Sequence, residues 1–411
     1  MGEPKLRFKA DDGADFSGWE EKTLGELCAP LTYGMNAAAT KFDGENRYIR
    51  ITDIDDETHA LLPNDIVSPS GELDDKYLVK KGDILLARTG ASTGKSFLYH
   101  PKDGKLFYAG FLIKAHVLPS SDDYFIYSQT LTDRYWKWVK TASMRSGQPG
   151  INANEYASYS FAVPSLPEQR KIADFLSAVD AVIAAQQAEV DAWEQRKKGV
   201  MQKLFSQEVR FKADDGSEFP AWESATVGEL FTFVTEKNKD GHINNVITNS
   251  AERGLVPQRE YFDKDIAVDG NTKGYTVIRK GDFVYNPRKS TSAPFGPFNI
   301  YERNEVGIVS PLYTCLTPYD DEMAPYLAWY FKTNRWHPYI VTHGAQSGAR
   351  HDRVGMTVAL MEGIPVLLPS LPEQRKIADC LASMDEVIQK STDELAKWRE
   401  LKKGLLQQMF V

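Results

Sequence analysis

Ten residues, SLPEQRKIAD, occupy 165–174 and recur unchanged at 370–379. An identical stretch at so wide a separation marks a duplicated structural part, not a local propensity. The repetition extends beyond these ten residues. RFKADDG stands at 7–13 and again at 210–216, Trp19 answers Trp222, and Gly25-Glu26-Leu27 answers Gly228-Glu229-Leu230. Downstream, Asp180 answers Asp385, Trp193 answers Trp398, Lys197-Lys198-Gly199 answers Lys402-Lys403-Gly404, and Phe205 answers Phe410. Each half therefore reads as a lead-in segment, a variable region and a SLPEQRKIAD segment. Two copies are too few for a solenoid and predict two similar domains related by a pseudo-two-fold. The expected division is a first variable domain with its lead-in over 1–163 and a repeated helix over 164–206. A second variable domain over 207–368 and a second repeated helix over 369–411 complete it.

The repeated segments read as helices built to meet a helix. Pro167 and Pro372 suit a helix start, where a missing N–H costs nothing. Glu168 and Glu373 follow in the first turn, where a carboxylate meets the positive end of the helix dipole. An apolar seam then runs by alternating steps of four and three through Ile172, Leu176, Val179, Ile183, Val190 and Trp193. Its copy runs through Ile377, Leu381, Met384, Ile388, Leu395 and Trp398. That is a heptad pattern. Both copies interrupt it at the same places, Gln186/Ser391 and Lys197/Lys402, so the positions are structurally equivalent. Helices of about 38 residues and about 57 Å are expected. Each stripe must be buried, and an antiparallel pairing of the two copies is the simplest way to do it.

The variable regions share pattern more than letters. YIRITDID (48–55), KKGDILLARTG (80–90) and FAVPS (161–165) read as strands and turns in the first. NVITNS (245–250), RKGDFVYNPRK (279–289) and IPVLLPS (364–370) fall at similar places in the second. In both, Lys-Gly-Asp is a turn signal ahead of a β-rich run. The fold class expected is α/β (α+β): two β-rich globular domains and two long antiparallel coiled-coil helices, with internal duplication. Identical spacers carrying different heads suit a ruler whose heads read two different things, and linear DNA is a natural target for one. Two linked heads also bind more tightly than either alone.

Bulk properties narrow the class. No apolar run approaches the ~20 residues that span a membrane, and the first residues carry no apolar core of a secretory signal. Cys28, Cys315 and Cys380 have neither disulfide-framework nor metal-ligand spacing. A reducing cytoplasm is the expectation. The net charge of -8 disfavours nucleic acid as the only partner.

SLPEQRKIADFLSAVDAVI with the later WEQRKKGVMQKLF resembles the specificity (S) subunits of type I restriction–modification systems. So do YIRITDID, KKGDILLARTGASTGKS and the RFKADDG…FPAW lead-in, so the likeness covers essentially the whole chain. It implies a target recognition domain in each variable region, reading one half of a bipartite, asymmetric double-stranded DNA target. It implies helices that scaffold two methyltransferase (M) subunits and, with them, restriction (R) subunits. It implies no catalysis and no cofactor in this chain, with S-adenosylmethionine, ATP and Mg belonging to the partners. Partner subunits that clamp phosphates would also resolve the charge conflict, since phosphate contacts set affinity while base contacts carry sequence information. The rival classes are a coiled-coil adaptor that binds no DNA and a self-sufficient DNA-modifying enzyme.

Candidate DNA contacts follow from side-chain chemistry, Arg and Lys pairing with guanine or phosphate and Asn or Gln with adenine. GASTGKS (90–96) is one residue short of a Walker loop and instead predicts a turn presenting Arg88, Thr89, Ser92, Thr93 and Lys95. NPRK (286–289) has Arg at the third position of an amino-methyltransferase loop and no Gly-rich cofactor loop before it, and instead offers Arg288 and Lys289, with Ser290 and Thr291 behind. SGQPGIN (146–152) offers Gln148 and Asn152, and SGARHDR (347–353) offers Arg350 and His351. Asn249, in NVITNS, is a further candidate. Arg50 and Thr52 are expected on one face of a strand. No metal site is expected.

Overall fold

A computed structural model describes residues 4–261, 272–344 and 352–410. The chain divides into two compact units, Met1–Ala188 with Thr392–Val411, and Glu189–Ser391. The cuts fall within the two long helices, Leu166–Phe205 and Leu371–Met409, and not at their starts. Each unit therefore holds a head, the first half of the helix that follows it and the second half of the other helix.

In the first unit, a four-stranded antiparallel sheet runs in the order Thr32–Tyr33, Leu112–His116, Asp83–Ala87, Ser96–Leu98. In the second, Phe231–Phe233, Thr314–Pro318, Phe283–Tyr285 and Phe298–Ile300 repeat that order. The Lys-Gly-Asp turn leads into the central strand of each. Gly82 and Gly281 take φ of 89° and 94°, which a side chain would resist. A second, two-stranded ladder closes each head: Glu20–Thr23 with Ser160–Val163, and Glu223–Thr226 with Pro365–Leu368. The domains are thus mixed α/β, duplicated in the four-stranded sheet and in the closing ladder.

The long helices run antiparallel within each unit. In the first, Lys402 Nζ donates to Asp180 at 2.9 Å and Arg399 Nη2 to Gln187 at 3.0 Å, so one number falls as the other rises. In the second, Lys197 pairs with Asp385, while Leu204 and Phe205 share a core with Ile377 and Leu381. The lysines that interrupt the heptad seam are therefore equivalent interhelical cations, each meeting the repeated aspartate of the other helix. Ile172, Leu176, Val179 and Val190 are buried on the first helix, and Ile377, Leu381, Met384 and Leu395 on the second; Ile183 and Ile388 are half-buried. Trp193 and Trp398, expected in the core, are only half-buried. The ring of Trp193 instead carries the Arg196 guanidinium 5.1 Å above its centre. The repeated phenylalanine at each helix end plugs a head. Phe410 meets Phe125 in the first unit, with centroids 5.4 Å apart, and Phe205 meets Tyr326 in the second at 5.6 Å.

The strict repeat has a physical cause at the helix starts. Glu168 and Glu373 have no exposed side-chain surface and are each gripped by a lead-in arginine. Arg7 Nε and Nη2 donate to the two oxygens of Glu168 at 3.0 and 2.8 Å. Arg210 repeats the fork on Glu373 at 3.0 and 2.6 Å. Lys171 reaches Asp11 and Lys376 reaches Asp214, both at 2.5 Å. RFKADDG and SLPEQRK are thus two sides of one clasp. A buried carboxylate needs a hydrogen-bonded counter-charge, and here a bidentate guanidinium supplies it, so both sides recur together.

Candidate nucleic-acid interface

The turn after each central strand meets the loop before each closing helix, through the same pair of backbone hydrogen bonds. In the first head, Gly90 N donates to Pro149 O and Ile151 N to Arg88 O, both at 3.0 Å. In the second, Lys289 N donates to Asp352 O at 2.9 Å and Val354 N to Pro287 O at 2.8 Å. Thr89 bridges Gly150 and Arg288 bridges Arg353. The backbone is shared and the side chains are not: Thr89, Gly90 and Gly150 stand where Arg288, Lys289 and Arg353 stand. The sequence placed these segments at comparable distances from the helices; their direct pairing is a tertiary fact.

Several candidates lie on this surface. Arg288, Lys289, Ser290 and Thr291 are exposed. Gln148 and Asn152 are exposed, and Asn152 caps the helix Ala153–Ala157 by accepting from Glu155 N at 2.9 Å. Arg88, Thr89 and Ser92 are half-buried. The Arg88 guanidinium lies 4.8 Å over the Tyr33 ring, and its Nη1 donates to Gly110 O at 3.3 Å. Tyr33 is not a candidate that sequence reasoning finds; its hydroxyl accepts from Ala153 N at 3.1 Å, tying it to the same surface. Nothing in a local TY dipeptide signals this.

Four expectations are corrected. Lys95 does not face outward. It is buried, with Nζ donating to Ile54 O at 2.8 Å and paired with Asp56 at 2.6 Å. Thr93 is buried too, its hydroxyl donating to Gly90 O at 2.7 Å. GASTGKS is a turn shaped by Gly90 and Gly94, with φ of 78° and 95°, and its lysine is part of the core. Asn249 is buried and structural: its Nδ2 donates to Val284 O at 2.6 Å and its Oδ1 accepts from Asn299 at 2.7 Å. Arg50 and Thr52 do not share a strand face. The strand ends at Ile49, and Ile51–Asp53 is a 3-10 turn. Arg50 Nη2 is held by Asp53 at 2.7 Å and Asp65 at 2.9 Å, while Thr52 is exposed. The alternation resembled a strand because a turn of three residues per cycle cannot be told from one over so few positions. Arg350 and His351 lie outside the described residues.

Lys95 and Asn286, the key residues of the two enzyme-like motifs, are both engaged in structural hydrogen bonds. Asn286 of NPRK is buried, with Nδ2 donating to Asn249 O at 3.1 Å and Oδ1 accepting from Arg288 N at 3.0 Å. Burial pushes the thiols of Cys28 and Cys315 up to about 12, so neither ionises near neutrality. Among the described residues no group of three His, Cys, Asp or Glu is placed to hold a metal ion, and no helix is long and apolar enough to cross a membrane.

Residues 17–192 match the family described as type I restriction modification DNA specificity domain. That span ends within the first repeated helix, and the second half duplicates it. Over that span the chain is similar to the DNA specificity domain of type I restriction–modification systems. A Methanocaldococcus jannaschii protein named as the MjaX type I restriction enzyme specificity subunit is 24% identical over 426 residues, covering 97% of this chain and 94% of its own. The MjaVIII specificity subunit of the same organism is 28% identical over 167 residues, 39% of this chain and 38% of its own. The S subunit structure from M. genitalium covers 100% of this chain and 99% of its own, at TM-score 0.56 and 16% identity. A chain from a structural study of assembly and conformational transition of a type I system covers 95% and 97%, at 0.57 and 17%. Both structures share the fold. The paired loops are the parts of each head that differ in side chains on a common backbone.

Proposed function

We propose that each head reads one half of a bipartite, asymmetric double-stranded DNA sequence. The two helices set the spacing between the halves and carry two methyltransferase subunits and the restriction subunits. One observation supports this most: the same hydrogen-bonded loop pair recurs in both heads with unlike side chains. A common backbone holding variable donors is what two different sequence readers need. The chain itself performs no chemical step on this reading. S-adenosylmethionine, ATP and magnesium would be bound by the partners, whose basic surfaces would also clamp the phosphates that a chain of net charge -8 does not attract.

The first test is single-molecule sequencing of modified bases in host DNA, with the gene present and deleted. A bipartite motif that loses methylation on deletion gives both half-sites at once; unchanged methylation would favour the adaptor reading. A second test inserts a few residues within 180–195. The tolerated spacer should change length while both half-sites persist, and an unchanged spacer would remove the ruler.

A further inference from the structure

Two apolar side chains stand at one equivalent position beside the paired loops. In the first sheet Leu86 opposes Ile113 and Ala87 opposes Leu112, so continuing the antiparallel register sets Phe111 opposite Arg88. In the second, Tyr285 opposes Thr314, which by the same continuation sets Leu312 opposite Pro287. Arg88 N donates to Phe111 O at 3.0 Å, which ties that tip to the loop pair. Phe111 is 63% exposed and Leu312 55%. Outside the heads, Leu6 with Val209 in the lead-ins and Val182 with Val387 on the long helices are also exposed at repeated positions, whereas on the heads Tyr319 and Val358 lack an exposed counterpart. Tyr319 corresponds to half-buried Leu118, since each backbone N–H bonds the leucine that ends an equivalent short helix, Leu230 of Val227–Leu230 and Leu27 of Leu24–Leu27. Val358 corresponds to buried Ala153, each being the first helical residue after its cap.

Large apolar groups on a polar loop surface forgo burial, and here both heads do so at one position. The neighbours are cationic: Arg88 in the first head, Arg288 and Lys289 in the second. A surface of that composition suits the major groove, where the thymine C5-methyl is the apolar mark on a base edge and guanine offers acceptors to arginine. Building on the DNA reading above, we propose that Phe111 and Leu312 are specificity-determining residues that contact thymine methyl groups, one in each half-site. Their different shapes, a flat ring and a branched chain, would let one backbone position serve two half-sites.

The experiment uses the chain assembled with its methyltransferase partners, on duplexes carrying the mapped target. Thymines of one half-site at a time are replaced by deoxyuridine, which lacks only the methyl. The complex should methylate more slowly by roughly fourfold for each thymine methyl that a tip no longer meets. Phe111→Ala should abolish that sensitivity in one half-site alone, Leu312→Ala in the other, and Phe111→Leu should retain part of it. Indifference of the parent complex to deoxyuridine, or sensitivity that survives both alanine variants, overturns the proposal. Loss of assembly by light scattering, with deoxyuridine sensitivity intact in the remaining complex, would assign the tips to a protein partner and also overturn it. Exchange of residues 223–368 for another recognition domain separates the two levels. A shift of one half-site keeps the DNA reading whatever the tips do, and a shift of neither removes it.

Discussion

The clasp at the helix start and the paired loops at the head surface are both duplicated, but by opposite means. In the clasp the side chains are copied: Arg7 and Glu168 reappear as Arg210 and Glu373, with Asp11 and Lys171 as Asp214 and Lys376. In the loops only the backbone is copied. The two hydrogen bonds that join them use main-chain groups, a C=O that every residue supplies and an N–H that every residue but proline supplies, so Thr89 can become Arg288 and Gly150 can become Arg353 without loss of shape. Identity persists where side chains make the structure. It is released where the main chain makes the structure and side chains are free to face a ligand.

Breaking the clasp should have the largest effect. Glu168→Ala or Glu373→Ala strands a guanidinium whose side chain is only 20% or 22% exposed. A loss of about 3 kcal/mol is expected in urea unfolding, near the low end for a broken buried pair because some water still reaches the arginine. Equal losses from the two variants would show that the copies are energetically alike. The tryptophans sharpen that point. Trp222 Nε1 donates to Glu373 at 3.1 Å, whereas Trp19 Nε1 is buried with no hydrogen-bond partner among the described residues. Trp222→Phe should cost about 2 kcal/mol, the worth of a hydrogen bond to a charged group. Trp19→Phe should be neutral or slightly stabilising, and equal costs would mean that the second clasp gains nothing from its extra bond. The seam lysines should matter least. Lys402→Met and Lys197→Met remove ion pairs whose aspartates are 34% and 41% exposed, so changes within about 1 kcal/mol are expected. A loss several times larger would make these pairs, rather than the apolar seam, the determinant of helix pairing.

Much of the architecture was legible in one dimension. The repeat predicted two like units, the four-three spacing predicted two long helices, and the shared flaws at Lys197 and Lys402 predicted equivalent positions in an antiparallel pair. Lys-Gly-Asp located the central strand of each head because positive φ favours glycine there. The candidate surface was legible only in part. Arg288, Lys289, Gln148 and Asn152 are exposed, but Lys95 and Asn249, chemically just as suited to DNA, are buried and bonded to carbonyls. Residue type announces what a side chain can do and is silent on which way it points. Phe111 and Tyr33 escape a sequence reading for the complementary reason, since an aromatic in a β-rich run reads as core.

By itself, the sequence determined the duplication, the helical seams and the family resemblance, because these rest on identity and period, which are properties of the chain order. Only the tertiary structure decided that RFKADDG closes on SLPEQRK across 161 residues, that the helices exchange halves between the units, and which polar groups remain outside. Those outcomes depend on contacts between distant segments. There a carboxylate or an ammonium is either satisfied by protein or left for a ligand, according to neighbours that no local stretch of sequence contains.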